Sequence, residues 1–114
     1  MSSTNAAGRT DRDFMPKLRR AAPVEAEAYT NFSSTVMSRT DGTVPPKYRE
    51  LIAIGVALTT QCRMCLESHT VAAKKAGASE EEIAETAFVA AALRAGAAYT
   101  HGFAAMRCFD EAGH

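Results

Sequence analysis

Cys62 and Cys65 form a C-x-x-C pair, and His69 follows four residues later. On one helix, these spacings place the three side chains along one face. The unpaired N–H groups and the dipole at a helix start favour a thiolate, the reactive form of cysteine. An imidazole takes and gives protons near neutral pH, as thiol chemistry requires. The pattern predicts a redox-active dithiol, whose disulfide would be opened readily by exchange.

A carboxylate that orients the imidazole would complete this arrangement. If the helices before and after the turn at residues 59–61 are antiparallel, Glu50 and His69 lie at similar depths, roughly 14 Å from the turn. Glu67 is nearer in sequence, but at two residues from both Cys65 and His69 it points elsewhere on the helix. We therefore expect Glu50 to be the partner of the histidine.

Other uses of a C-x-x-C pair fit the sequence less well. Zinc would need a fourth ligand beyond the pair and the histidine, which Cys108 or Glu50 could supply, but the second half of a typical zinc motif is absent. A c-type haem needs histidine directly after the second cysteine, where Leu66 stands. A thioredoxin fold would need strands around the motif, and none is predicted. Two inert, buried cysteines are a further alternative, and we expect neither a metal nor a cofactor.

Two residues late in the chain, Cys108 and His101, are not assigned chemistry. Cys108 has apolar neighbours, so we expect a packed thiol rather than a catalytic one. His101 is expected in the core or at an interface.

The apolar residues fall at helical spacings and no segment alternates with period two, which predicts an all-α fold. Pro23 is suited to a first helical turn, Gly77 to a C-cap, and Ser79 with Glu82 to a capping box. Gly96 is expected to interrupt the last helical region. We predict a bundle of about six helices, near residues 14–20, 23–38, 47–60, 62–76, 80–95 and 97–110, in which the third and fourth form an antiparallel hairpin that carries the cysteines.

The third helix has the clearest core stripe. Leu51, Ile54 and Leu58 form it, and Ile52 and Val56 widen it. The last two helical segments are instead rich in Ala and Gly, which bury little apolar area at about 25 cal/mol per Å². One small monomer supplies few contacts to hold such helices, so we predict a homo-oligomer.

Bulk properties restrict the function further. The 114 residues give room for one domain, which we place at 14–114 after a disordered tail at 1–13. No stretch has the apolar length of a signal peptide or a membrane span. Thirteen basic and thirteen acidic residues balance, which argues against nucleic acid as a partner. The three cysteines do not form the pattern of a secreted disulfide scaffold, so we expect a cytoplasmic protein.

The constellation of Glu50 and Cys62-x-x-Cys65-x-x-x-His69 resembles the alkyl hydroperoxidase D-like (AhpD-like) branch of the carboxymuconolactone decarboxylase family. The flanking segments, at residues 49–53 and 72–82, are also similar. The resemblance covers about residues 45–103. It implies an AhpD-like helical bundle that assembles as trimers or hexamers, with the site near subunit contacts.

The resemblance also implies roles for the four residues. Cys65 would be the peroxidatic cysteine, oxidised by peroxide to a sulfenic acid, and Cys62 the resolving cysteine that closes the disulfide. Glu50 and His69 would form a proton relay. The reductant would be an external dithiol, in some relatives a lipoyl group on a partner protein.

One position departs from the family pattern. Peroxidases of this family can carry a histidine directly before the second cysteine, where this chain has Met64. A thioether carries no proton, so a protein or small-molecule disulfide is the alternative substrate to a hydroperoxide. A non-catalytic metal-binding oligomer is a third hypothesis. The decarboxylase branch does not depend on a C-x-x-C pair, so the pair argues against lactone decarboxylation.

Overall fold

The computed structural model describes residues 8 and 10–113, and this part of the chain contains five α-helices and no β-strand. The prediction of an all-α fold is thus confirmed, with one helix fewer than expected. None of the described helices is long and apolar enough to cross a membrane. After a 3₁₀ turn at Asp11–Phe14 come α1 (Met15–Ala21), α2 (Pro23–Ser38), α3 (Pro46–Thr60), α4 (Arg63–Lys75) and α5 (Glu80–Glu111).

The helix ends follow the local signals. Pro23 and Pro46 occupy the first turns of α2 and α3, where a missing N–H costs nothing. Ser79 and Glu82 form the predicted capping box: the Ser79 hydroxyl accepts from the Glu82 N–H at 3.1 Å, and the Glu82 carboxylate accepts from the Ser79 N–H at 2.9 Å. Gly77, which follows α4, has φ +97°, a left-handed conformation suited to glycine.

The predicted interruption at Gly96 is wrong, because α5 is one continuous helix of 32 residues that includes Gly96. A single glycine inside a helix costs about 1 kcal/mol relative to alanine, and the alanine-rich sequence around it offsets that cost. The predicted fifth and sixth helices are therefore one.

Helix α3 is central, packing against both α4 and α5. It runs antiparallel to α4 through the connecting turn and parallel to the first half of α5. Lys47 at its start forms an ion pair with Glu82 at 3.0 Å, and Arg94 donates to the Thr59 carbonyl near its end at 2.6 Å. The apolar residues that are buried between the three helices are Ile54, Ala57, Ala73 and Ala90.

Some predicted core positions are exposed in the single chain. Ile54 is buried as predicted and Leu51 and Leu58 are half-buried, but Ile52 and Val56 are exposed. These two face a groove along α3 and the first half of α5. The apolar face of α3 is thus wider than the surface that its neighbours cover.

The tail predicted for residues 1–13 lies mostly outside the described residues. At its end, the structure has the 3₁₀ turn that begins at Asp11, three residues before the expected start of the domain. One side chain of this turn, that of Arg12, contacts α4.

Candidate active site

The two cysteines lie at the start of α4 and are joined by a disulfide, with their Cα atoms 5.3 Å apart. Cys62 is the N-cap residue, and its sulfur accepts a hydrogen bond from the Cys65 N–H at 3.3 Å. A sulfur at this position lies beside the unpaired N–H groups and the positive end of the helix dipole, which stabilise negative charge. In the reduced pair, the same N–H groups would stabilise negative charge on the Cys62 sulfur.

The turn before the cysteines is fixed by the backbone. Gln61 has a left-handed conformation, with φ 58°, which ends α3 and redirects the chain. The N–H groups of Gln61 and Cys62 both donate to the Ala57 carbonyl. Arg94 of α5 binds the Thr59 carbonyl in the same turn. Sequence analysis placed a break here but did not identify Arg94, because nothing local marks that contact.

Glu50 of α3 and His69 of α4 lie side by side. The Oε1 atom of Glu50 is 2.6 Å from Nδ1 of His69, and Glu50 is 9 % exposed. A carboxylate can only accept, so Nδ1 carries the shared proton, and in the neutral form of the imidazole the lone pair is on Nε2. The carboxylate thus fixes the orientation and the tautomer of an imidazole that can act as a base.

A cavity of about 550 Å³ opens beside Cys65 and His69. Helix α4 forms one wall and helices α1 and α2 form the other, and most of the lining is apolar. Cys65 lines the cavity, whereas Cys62 does not. A molecule entering this space meets the second cysteine of the pair.

Arg12 connects the N-terminal segment to this wall of the cavity. Its guanidinium donates to the Met64 carbonyl at 3.3 Å and to the Ser68 hydroxyl at 3.2 Å, and lies 3.7 Å from the Glu67 carboxylate. Glu67 therefore faces Arg12 and not His69. Sequence analysis did not identify Arg12, because it placed this residue in a disordered tail.

A larger groove, of about 710 Å³, lies between α3 and the first half of α5. It is lined by apolar residues, the two threonines Thr59 and Thr86, and the two glutamates Glu82 and Glu85, without any cysteine or histidine. Among the described residues, no group of three His, Cys, Asp or Glu side chains is arranged to hold a metal ion. The groups able to transfer electrons and protons are therefore concentrated at the smaller cavity.

The two unassigned residues lie in the second half of α5. Cys108 is exposed in the single chain and has a free thiol, contrary to the expected packed position. His101 is exposed as well. Both lie beyond the part of α5 that contacts α3, so no other described element of the chain covers them.

Comparison with known proteins agrees with this architecture. The profile of the Carboxymuconolactone decarboxylase family matches residues 23–107. "Uncharacterized protein 4 in cox locus" of Paracoccus denitrificans is 40% identical over 92 residues, which are 81% of each chain. A crystal structure from Methanobacterium thermoautotrophicum has a TM-score of 0.70 at 33% identity, over 76% of this chain and 96% of that one.

A second solved structure carries the family name. It is the apo form of a carboxymuconolactone decarboxylase family protein from Legionella pneumophila, with a TM-score of 0.66 at 26% identity over 88% of each chain. The profile match spans well over half of this chain, and the structural neighbours share its fold. The chain belongs to the carboxymuconolactone decarboxylase family.

Proposed function

We propose that this protein is a thiol-dependent peroxidase of the alkyl hydroperoxidase D-like branch, which reduces hydroperoxides through Cys65 and Cys62. The observation that carries the proposal is that the two cysteines have different surroundings. Cys65 opens into a cavity that it shares with the Glu50-bound His69, while Cys62 caps the helix and is bonded to Cys65.

In the oxidative half of the reaction, the Cys65 thiolate attacks the terminal oxygen of the hydroperoxide and breaks the O–O bond. His69 takes the proton of the Cys65 thiol on Nε2 to form this thiolate and then returns it to the departing alkoxide, so sulfur gains a hydroxyl as a sulfenic acid and the alcohol leaves neutral. The Cys62 thiolate then attacks the Cys65 sulfur, and hydroxide leaves and is protonated to water. The peroxide gains two electrons, and the dithiol becomes a disulfide.

In the reductive half, an external dithiol restores the pair. One thiolate attacks the Cys65 sulfur from the cavity, and Cys62 leaves as a thiolate that the helix N-terminus stabilises. The second thiol of the reductant then displaces Cys65, which leaves a reduced pair and an oxidised reductant. A lipoyl-type dithiol is a suitable reductant, and the need for re-reduction fits the cytoplasm.

Mixing the reduced protein with cumene hydroperoxide in a stopped-flow instrument tests the proposal. We expect one alcohol to form for each pair of thiols lost, with no reaction of the pre-oxidised protein. Failure to consume the hydroperoxide faster than free dithiothreitol does at equal thiol concentration would refute the proposal.

Met64 favours a second candidate, a thiol–disulfide oxidoreductase. Its side chain lines the cavity beside Cys65 and cannot carry a proton. This candidate predicts rapid exchange with dihydrolipoamide and negligible turnover of hydroperoxide. Two stopped-flow measurements on the wild type distinguish the candidates, one of the reduced protein with cumene hydroperoxide and one of the oxidised protein with dihydrolipoamide. Met64→His should raise peroxide turnover, because it adds a proton carrier beside Cys65.

We also propose that the protein is a homo-oligomer, a trimer or hexamer as the family resemblance implies. The radius of gyration is 18.9 Å, against about 13 Å for a compact domain of this length. The exposed surface is 8930 Å², against about 6,000 Å² for a compact monomer. The large apolar side chains left open on α5 are Phe88, Val89, Leu93, Tyr99, Phe103, Met106 and Phe109. This excess of exposed surface is comparable to the area that a permanent subunit interface buries.

A further inference from the structure

The cavity beside Cys65 is much larger than hydrogen peroxide requires. A water molecule occupies about 30 Å³ in the liquid, and hydrogen peroxide is little larger. The cavity measures about 550 Å³, within the range of about 300–1,000 Å³ that is typical of sites for organic ligands. The site therefore has room for a substrate with a long organic body.

The wall opposite Cys65 is apolar and open. Met15, Leu18 and Tyr29 line it, and Leu18 and Tyr29 are each 70% exposed. Ala22 and Ala26 line it as well, with small side chains. A ligand that covers this apolar surface removes it from water, which favours binding. The wall thus favours a hydrocarbon chain.

Two guanidinium groups line the cavity, and they differ in their partners. Arg12 is engaged by the Met64 carbonyl, the Ser68 hydroxyl and the Glu67 carboxylate. Arg19 makes no hydrogen bond or ion pair with any described residue. A guanidinium with free donors in an apolar site binds a carboxylate well.

The cavity lining includes an acidic side chain, that of Glu25. Among the described contacts, Glu25 does not interact with Glu50 or His69. It lies in the first turn of α2, where the positive end of the helix dipole offsets its charge. It forms no ion pair with Arg19 among the described contacts. Arg12 and Arg19 outnumber Glu25 in the cavity lining, so the charged residues that line it favour an anion.

Arg19 also borders a second, shallow depression at the α1–α2 corner with Pro23, Glu27 and Asn31. Arg12, earlier in the same segment, contacts α4 beside Cys65. The helical rise between the two arginines separates them by roughly 10 Å. Within the cavity lining, Arg12 is thus held against α4, whereas Arg19 lies at the α1–α2 corner.

We propose that the substrate is an amphiphilic organic hydroperoxide that carries a carboxylate. Its hydrocarbon chain lies along α1 and α2, its carboxylate binds Arg19, and its hydroperoxide group reaches Cys65. This inference rests on the proposed peroxidase activity for the reacting group, and it adds Arg19 as a residue that determines specificity.

Calorimetric titration of the full-length, oxidised protein tests the binding step without catalysis. We expect decanoate to bind at least 10-fold more tightly than decanol, and Arg19→Gln to remove that advantage. Arg20→Gln is the matched control, since it removes a neighbouring cation of α1 that does not line the cavity, and it should change both affinities less than twofold. Equal binding of the two probes, no binding of either, or no effect of Arg19→Gln would overturn the inference.

Turnover separates this inference from the proposed function. The reduced protein should have a KM for linoleic acid hydroperoxide at least 10-fold below that for its methyl ester, and Arg19→Gln should raise only the former KM with kcat unchanged. Turnover of both compounds at equal KM overturns the anionic subsite and leaves the peroxidase intact. Arg19-dependent binding of decanoate without any hydroperoxide turnover overturns the peroxidase and supports the subsite.

Discussion

The α3–α4 hairpin and the second half of α5 differ in how much of their surface the single chain buries. In the hairpin, a buried Glu50 holds His69, Ile54 and Ala73 are almost fully covered, and the four candidate site residues lie together. Arg94 contacts the end of α3, and α5 continues from there to Glu111. At the rise of an α-helix, this extension is roughly 25 Å long. Nearly every residue of it is exposed.

The difference shows what the single chain specifies and what it leaves open. Cys62, Cys65, His69 and Glu50 are brought together by α3 and α4 of one chain. The extension of α5 has exposed aromatic side chains, such as Tyr99 and Phe103, whose rings contact each other at 5.2 Å between centroids. An apolar helix of this kind is stabilised when another surface covers it.

The largest expected effect is on hydroperoxide consumption, and it distinguishes the cysteine of the hairpin from the cysteine in the extension of α5. Cys65→Ser should lower hydroperoxide consumption at least about 1,000-fold, because it removes the attacking nucleophile. Cys108→Ser, in the extension of α5, should leave the rate within twofold. Measured rates of alcohol formation decide this, and an equal loss in both variants would contradict the assignment of chemistry to the hairpin.

Phe103→Glu should disrupt association through the extension of α5. A charge in place of an aromatic side chain at an interface costs at least about 2 kcal/mol, or some 30-fold in the dissociation constant. Ala105→Glu, about 200° around the same helix, is the matched control and should change it much less. Sedimentation equilibrium measures both, and a wild-type protein that is monomeric at tens of micromolar would contradict the interface.

Glu50→Gln should reduce hydroperoxide turnover roughly 10-fold or more and alter the pH–rate profile, because an amide no longer holds the imidazole as a charged acceptor does. Glu67→Gln removes one negative charge from α4, but Glu67 faces Arg12. The hydroperoxide turnover of this variant should therefore stay within about twofold of the wild-type rate. Circular dichroism should show both variants folded. Equal effects of the two substitutions would contradict the Glu50–His69 assignment.

Two glycines give stability changes of opposite sign. No atom lies within 4 Å of a Cβ built at Gly96 or at Gly77, so alanine fits the space at either position. Gly96→Ala should stabilise by about 0.5–1 kcal/mol inside α5, whereas Gly77→Ala should destabilise by about 1 kcal/mol because its φ is +97°. Urea unfolding measures both, and destabilisation by Gly96→Ala would contradict a continuous α5.

The smallest effect concerns the ion pair between Lys47 and Glu82. The Ser79 N–H and the Lys47 ammonium lower the pKa of Glu82 below its usual 4.5. A lowered folded-state pKa stabilises the fold above the usual carboxyl value, and this stabilisation is lost as the pH falls through the folded pKa. Glu82→Gln should therefore lower Tm at pH 7 by a small amount that shrinks below about pH 4.5.

A matched variant isolates the ion pair from the net charge. Glu81→Gln removes one charge from the same turn of α5 but no ion pair within the described chain. At pH 7 its effect on Tm should be smaller than that of Glu82→Gln. A Glu82→Gln effect no larger than that of Glu81→Gln would show that the pair does not contribute.

Sequence patterns predicted the elements that local chemistry specifies. The capping box of Ser79 and Glu82 and the proline at the start of α2 each determine a boundary within a few residues, and the structure has these boundaries where predicted. The depths of Glu50 and His69 follow from helix rise alone, which is why their proximity could be anticipated from a hairpin. The roles of these residues in the reaction remain predictions.

The parts that sequence patterns missed depend on distant contacts. Arg12 meets Met64 and Ser68 across more than fifty residues, and Arg94 meets Thr59 across 35. Gly96 was given too much weight as a helix breaker, because propensity is a sum over the whole segment and not a property of one residue. The exposure of Ile52 and Val56 likewise depends on which surfaces the neighbouring helices leave uncovered.

The central claim is that Cys65 is the thiol that attacks a hydroperoxide and Cys62 the thiol that resolves it. Mass spectrometry of Cys62→Ser, treated with one equivalent of cumene hydroperoxide and then with dimedone, tests it most directly. We predict a single dimedone adduct on Cys65 and none on Cys108, because a sulfenic acid without its resolving partner persists. An adduct on Cys108 alone, or trapping on Cys62 in Cys65→Ser but none on Cys65 in Cys62→Ser, would contradict it.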